Sequence, residues 1–93
     1  MRFEDLQFNP HPYEGVMAKQ WFGDYEISVV SLKDNGIYEV GIFNKDGNFV
    51  QLPGIHPEPT DEDDFVDDVI HYNTPDDVSG IMLKLQLIAG VPA

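Results

Sequence analysis

The chain contains no cysteine. That absence removes disulfides, thiolate zinc sites and thiol nucleophiles together, and is compatible with a reducing cytoplasm. Basic side chains are scarce: five Lys and Arg stand against 17 Asp and Glu, a formal net charge of -12. Phosphate backbones and anionic lipid repel such a chain, so direct nucleic-acid binding is disfavoured and a basic protein partner is attracted. No run approaches the roughly 20 apolar residues of a membrane helix, and Met1-Arg2-Phe3-Glu4-Asp5 lacks the apolar stretch of a secretory signal. The expectation is a cytoplasmic protein with no membrane partner. No glycine cluster precedes a helix signal, so no phosphate-cradling loop and no cofactor site is read.

What is present points to one small folded domain, residues 1–93. Hydrophobic residues make up 42% and aromatics 12%, too rich for a chain disordered throughout. A chain of 93 residues buries roughly two-thirds of its unfolded surface, enough for one modest core. Turn signals then divide its centre into strands. Asn35-Gly36 reads as a type I′ hairpin turn between YEISVVSL (25–32) and IYEVGIFN (37–44). A two-residue loop there places Leu32 opposite Glu39, Ser31 opposite Val40, Val29 opposite Ile42 and Glu26 opposite Lys45. One face gathers Tyr25, Ile27, Val29, Val40 and Ile42. For the next turn, a three-residue loop of Lys45, Asp46 and a left-handed Gly47 sets Val50 against Ile42 and Leu52 against Val40, which keeps that face apolar. Upstream, Gly23-Asp24 joins VMAKQWF (16–22) to the strand that follows, and RFEDLQF (2–8) is a candidate fifth strand.

The C-terminus reads as a helix. Thr74 is placed to cap it, Pro75 suits the first position, and Asp76 and Asp77 favour the positive end of the dipole. Val78, Ile81, Met82, Leu85 and Ile88 recur at helical spacing before Gly90 supplies a stop. Gly80 inside that pattern suggests close approach of helix to sheet. The fold class expected is α+β: a four- to five-stranded antiparallel meander sheet with one C-terminal helix packed on one face.

The candidate functional residues lie mostly in EPTDEDDFVDD (58–68), which carries seven carboxylates, Glu58, Asp61, Glu62, Asp63, Asp64, Asp67 and Asp68, and no basic side chain. With Asp76 and Asp77, residues 56–77 hold nine of the 17 acidic groups. Three readings compete. Blocks of like charge commonly form a solvated loop, although Phe65, Val66, Val69 and Ile70 argue that its second half packs on the core. A calcium loop is contradicted by its template, because counting from Asp61 brings Phe65 and Val66 where ligand and glycine are needed, and His56 and His71 lack a third histidine at ligand spacing. No metal site is therefore read. Mimicry of nucleic acid depends on conformation. Extended, the charges fall about 5 Å apart, against one per roughly 1.7 Å of duplex axis; in a helix they fall about every 2.4 Å. Mimicry thus needs a helical stretch, or added charge from Asp76, Asp77 and a second copy.

Catalytic patterns are missing. Ser28 and Ser31 sit on strands and Ser79 on the helix, none in a nucleophile elbow, and so small a chain has little room for a cleft that holds a carboxylic acid protonated. No catalytic residue is read. Trp21 and Phe43 fall on the outer sheet face with Met17 and Val30; either FEDLQFNPHPY (3–13) covers them as a second small core, or they form an apolar patch for a partner or a homodimer.

FEDLQFNPHP near the start and DDVIHYNTPDDVSGIM near the end, with YEISVV and YEV between, resemble short acidic proteins of tailed bacteriophages. The resemblance implies a protein made in an infected bacterium's cytoplasm, where small acidic phage products bind host proteins; it carries no catalytic or binding residue. The function expected is a non-enzymatic accessory or host-modulating protein. It binds a basic host or phage protein through Glu58, Asp61, Glu62, Asp63, Asp64, Asp67, Asp68, Asp76, Asp77 and Trp21. The competing expectation is a structural or oligomeric module whose acidity serves only solubility.

Overall fold

The computed structural model describes residues 1–57 and 67–92. Five strands, β1 (Asn9–Pro10), β2 (Val16–Phe22), β3 (Tyr25–Ser31), β4 (Tyr38–Phe43) and β5 (Val69–Asn73), form one antiparallel sheet in the order β1-β2-β3-β4-β5, and helix α1 (Pro75–Ala89) packs on one face. This is the expected α+β meander. Among the described residues no helix is long and apolar enough to cross a membrane.

Alternation dictates the core. Ile27 and Val29 of β3, Val40 and Ile42 of β4, and Val78, Met82 and Leu85 of α1 are wholly buried, with Leu6, Ala18, Phe22 and Tyr38 around them. The β2–β3 turn is the two-residue Gly23-Asp24 loop, since Phe22 pairs with Tyr25 and Gly23 adopts φ 58. The β3–β4 register differs by two residues from the expected one: Val29 pairs with Val40, Ile27 with Ile42, and Glu26 with Phe43 rather than Lys45. Asp34 (φ 48), rather than Asn35, takes a left-handed conformation with Gly36, while Asn35 accepts the Ile37 N–H on its Oδ1 at 3.2 Å. An Asx turn has displaced the tight hairpin. A slip of two leaves every side chain on its own face, so the core forecast survives the wrong register.

The three-residue loop after β4 forms as expected. Phe43 bridges Phe49, the Val50 N–H donates to the Ile42 carbonyl at 2.9 Å, and Gly47 sits at φ 83. Pairing ends there. The place beside Val40 that was assigned to Leu52 belongs to Ile70 of β5, a strand hidden in sequence behind the acidic block. Ile70 packs on the core as expected, whereas Phe65 and Val66 lie outside the described residues.

Buried His56 fastens the two segments. Its Nδ1 accepts the Leu52 N–H at 3.0 Å, so the proton resides on Nε2, which donates to the Asp68 carbonyl at 3.1 Å. Gln51 Nε2 adds a 3.1 Å bond to Asp68 Oδ1.

The N-terminal stretch is not a strand over 2–8. Phe3–Asp5 is a 3₁₀ turn, the Phe3 N–H donates to Ser79 Oγ at 2.9 Å, and the Phe3 and Phe8 rings pack on Tyr38 with centroids 5.0 and 5.5 Å away. It therefore lies on the helix side and does not cover Trp21. This also rotates the helix stripe. Gln86 is buried in place of Ile88, which is 43% exposed, because the Gln86 amide donates to the Met1 and Met82 carbonyls, both at 3.0 Å, and accepts from the Met1 amino group at 3.1 Å. The expected capping is present: Thr74 Oγ1 accepts the Asp77 N–H, Asp77 accepts the Thr74 N–H, and Gly90 closes the helix at φ 72. Gly80 is exposed and a Cβ there would meet nothing within 4 Å, so close helix–sheet approach is not its reason.

Candidate functional site

Among the described residues, no helix or second sheet lies over the face of the sheet opposite α1. The same alternation that buries Ile27 and Val29 turns Glu26, Ser28 and Val30 of β3 outward, together with Trp21 of β2, Glu39, Gly41 and Phe43 of β4, and Val69 and His71 of β5. Gly41 leaves a gap in the middle of this face, and Phe49 uses it. The loop after β4 folds the Phe49 ring back over the sheet until a Cβ on Gly41 would lie 2.9 Å from its Cε1. Phe43 and Phe49 pack at 4.3 Å with planes 35° apart. The result is a groove of about 530 Å³. Ser28, Val30, Gly41 and Val69 form its floor, Phe43 and Phe49 one wall, and His11, Tyr13, Glu14, Leu32 and Glu39 the rim. A second hollow beyond Val30, Leu32 and Glu39 extends the surface to Lys33, Ile37 and Tyr72. Tyr13 and Tyr72 are 91% and 87% exposed.

The rim is fixed from behind. The His11 N–H donates to the Gly15 carbonyl at 2.9 Å and His11 Nδ1 accepts the Tyr13 N–H at 3.2 Å, a tight loop that presents Tyr13 and Glu14. Gly15, at φ 76, presses that loop so closely onto the end of β3 that a Cβ would lie 2.0 Å from the Ser31 carbonyl oxygen.

The charge of the groove is one-sided. Among the described residues, Glu14 and Glu39 are its only charged lining residues, and no Lys or Arg lines it. Next to it, His71 bridges two carboxylates, Nδ1 to Glu39 Oε1 at 3.2 Å and Nε2 to Asp67 Oδ2 at 3.0 Å. Only an imidazolium donates on both sides, so the hydrogen bond to Asp67, then that to Glu39, raises the His71 pKa above 6.5. The Val69 N–H on Asp67 Oδ1, followed by His71, holds the Asp67 carboxyl below its ordinary 3.8. Among the described residues no three His, Asp or Glu side chains are placed to hold a metal ion. Glu39 and Asp67 occupy different nitrogens of the His71 ring and so do not converge with it.

The residues expected to bind a partner are distributed as follows. Glu58, Asp61, Glu62, Asp63 and Asp64 lie outside the described residues. Asp67 joins the outer face through His71, while Asp68 is tied to Gln51 and His56. Asp77 works as the capping partner of Thr74, and Asp76 borders a hollow with Arg2, Asp5 and Gly80 on the helix side. Asp67 and Asp76 flank opposite ends of β5, a strand of five residues that spans roughly 16 Å. Trp21 is on the outer face, 48% exposed and paired with Glu26, but outside the groove lining. Of the serines, Ser79 accepts from Phe3, and Ser31 Oγ is buried without a partner; neither is set beside a base.

Glu14, Glu39, Tyr13 and Phe49 are the groove residues that the sequence reading did not single out. One signal was present: YEVGIF sets a glycine between Glu39 and Phe43 on the outer face, and an isolated glycine in a strand marks a place where another group comes close. Comparison with known proteins returns no matching family model, no matching curated protein and no matching solved structure.

Proposed function

We propose that this chain is a non-enzymatic binding protein that engages a basic protein partner through its acidic outer face. The observation that carries the reading is the groove itself: an apolar floor and aromatic wall with Glu14 and Glu39 as the only lining charges among the described residues. Apolar area supplies affinity, and the negative charge of Glu14, which has no ion pair among the described residues, selects basic partners and speeds encounter. The net charge of -12 acts in the same direction at longer range. The resemblance to phage proteins puts the partner in an infected bacterium, with a role in modulating a host protein. Nucleic-acid mimicry by residues 58–68 is a stronger form of the proposal and adds that duplex DNA competes for the same partner.

The test is capture from bacterial lysate on the immobilised chain at two ionic strengths, with Val30→Glu alongside. The expected result is a basic partner whose retention falls steeply between low and moderate salt and is lost on Val30→Glu. Recovery of no specific partner at low salt, or retention indifferent to salt and to Val30→Glu, leaves the acidity to solubility and refutes the proposal.

A further inference from the structure

The reading of the groove as a site for a basic partner leaves open what enters it, and the lining narrows the choice. We infer that the groove receives an arginine side chain of the partner, its aliphatic stem on Val30 and Val69 and its guanidinium between the Phe43–Phe49 pair and the Glu14 and Glu39 carboxylates. This inference rests on the proposed function above.

Four observations carry it. The floor is apolar where Val30, Gly41 and Val69 meet, which suits a methylene stem rather than a polar chain. Phe43 and Phe49 form an aromatic wall, and Phe49 is 46% exposed, so a ring surface is open to a planar cation. Glu14 makes no hydrogen bond or ion pair among the described residues, and Glu39 meets His71 through Oε1 alone; a carboxylate has about four acceptor positions, so both retain capacity for a donor. Finally, the rim loop is held by the Gly15 contact with Ser31 before any ligand arrives, which lowers the ordering cost of binding.

The same features exclude competitors. An anion meets Glu14 and Glu39. A neutral apolar group covers Glu39 without supplying a donor, which is costly. Lysine meets the rings and carboxylates as a compact, strongly hydrated point charge and binds more weakly, whereas the planar guanidinium stacks on rings and forks to carboxylates with less desolvation.

The probe is an acetylated and amidated Gly-Arg-Gly peptide, with citrulline and lysine versions as controls, titrated into the full isotope-labelled chain and followed by amide NMR. The expected result is saturable shifts at Glu14, Val30, Gly41 and Val69 for arginine, weaker shifts for lysine and none for citrulline. Glu14→Gln and Phe49→Ala each weaken arginine binding by about three- to tenfold, in line with exposed charge-assisted and cation–π contacts. Both positions lie at the surface, and unchanged spectra elsewhere verify the fold. Equal shifts with citrulline, no shifts, or shifts confined to residues 58–68 overturn the inference. If arginine fails while a lysate partner still depends on Val30, only the anchor is wrong; if both fail, the binding function falls with it.

Discussion

Replacing Gly15 by alanine tests whether the groove rim is built on a backbone contact. Two costs apply, and a second glycine separates them. Gly15 at φ +76 and Gly47 at φ +83 both occupy the left-handed region, where an L side chain costs about 1–2 kcal/mol. At Gly47 nothing lies within 4 Å of an added Cβ, so Gly47→Ala carries that conformational cost alone. At Gly15 the new Cβ falls 2.0 Å from the Ser31 carbonyl oxygen and 2.6 Å from Leu32 Cα, backbone atoms that cannot swing aside. Relief requires the loop to lift off β3 by more than an ångström, which threatens the His11 N–H to Gly15 bond and the first β2–β3 pair, Val16 with Ser31. Each lost hydrogen bond adds about 0.5–1.5 kcal/mol, so Gly15→Ala costs about 2–5 kcal/mol in all. Urea unfolding measures the difference. With a slope of about 1–3 kcal/mol per molar, the Gly15→Ala midpoint falls by roughly 0.7–5 M and the Gly47→Ala midpoint by roughly 0.3–2 M, so at any one slope the first falls about twice as far as the second. Equal losses at the two positions would refute the argument that the rim is sterically locked to the sheet.

Further outcomes follow from the same structure. Ser31→Ala removes a hydroxyl buried without a partner, and thermal unfolding should show a stability gain of up to about 1 kcal/mol; a lower midpoint would mean that the hydroxyl is satisfied. Leu85→Ala opens a cavity under the helix and costs about 2–5 kcal/mol in urea unfolding, whereas Leu87→Ala, at a position 68% exposed, is close to neutral. The His71 bridge gives a pH signature. The raised His71 pKa means that its contribution is present below 6.5 and is lost as pH rises through the folded value; the lowered Asp67 pKa means that its contribution is present above 3.8 and is lost as pH falls through its folded value. The stability difference between the wild type and His71→Ala should therefore be greatest between pH 3.8 and 6.5 and shrink on both sides. A difference independent of pH would show that the bridge does not form in solution.

Much of the fold was legible because its signals are local and redundant. Thr74-Pro75 and Gly90 mark the helix, Gly23-Asp24 and Lys45-Asp46-Gly47 fix two loops, and strand alternation names the buried residues whatever the register. The misreadings arose where nonlocal contacts decide. Asn35 served its own backbone rather than a tight turn. Gln86 was buried because the chain's beginning crosses it, and no window around residue 86 reveals Met1. β5 was missed because five strand residues follow a dense acidic block that drew the whole segment into one reading. The groove was the least legible part. It depends on Phe49 folding over Gly41 and on a loop from residues 11–15 meeting the end of β3, two encounters between parts distant in sequence.

The knot that His56 ties to Asp68 also bears on how this chain can change. The segments of His56 and Asp68, on either side of the acidic block, are joined by side-chain bonds, so the number of residues between them enters stability only through a slowly growing logarithm. By that arithmetic, a change in the number of residues between His56 and Asp68 costs little closure entropy while the five strands and the helix keep their own contacts.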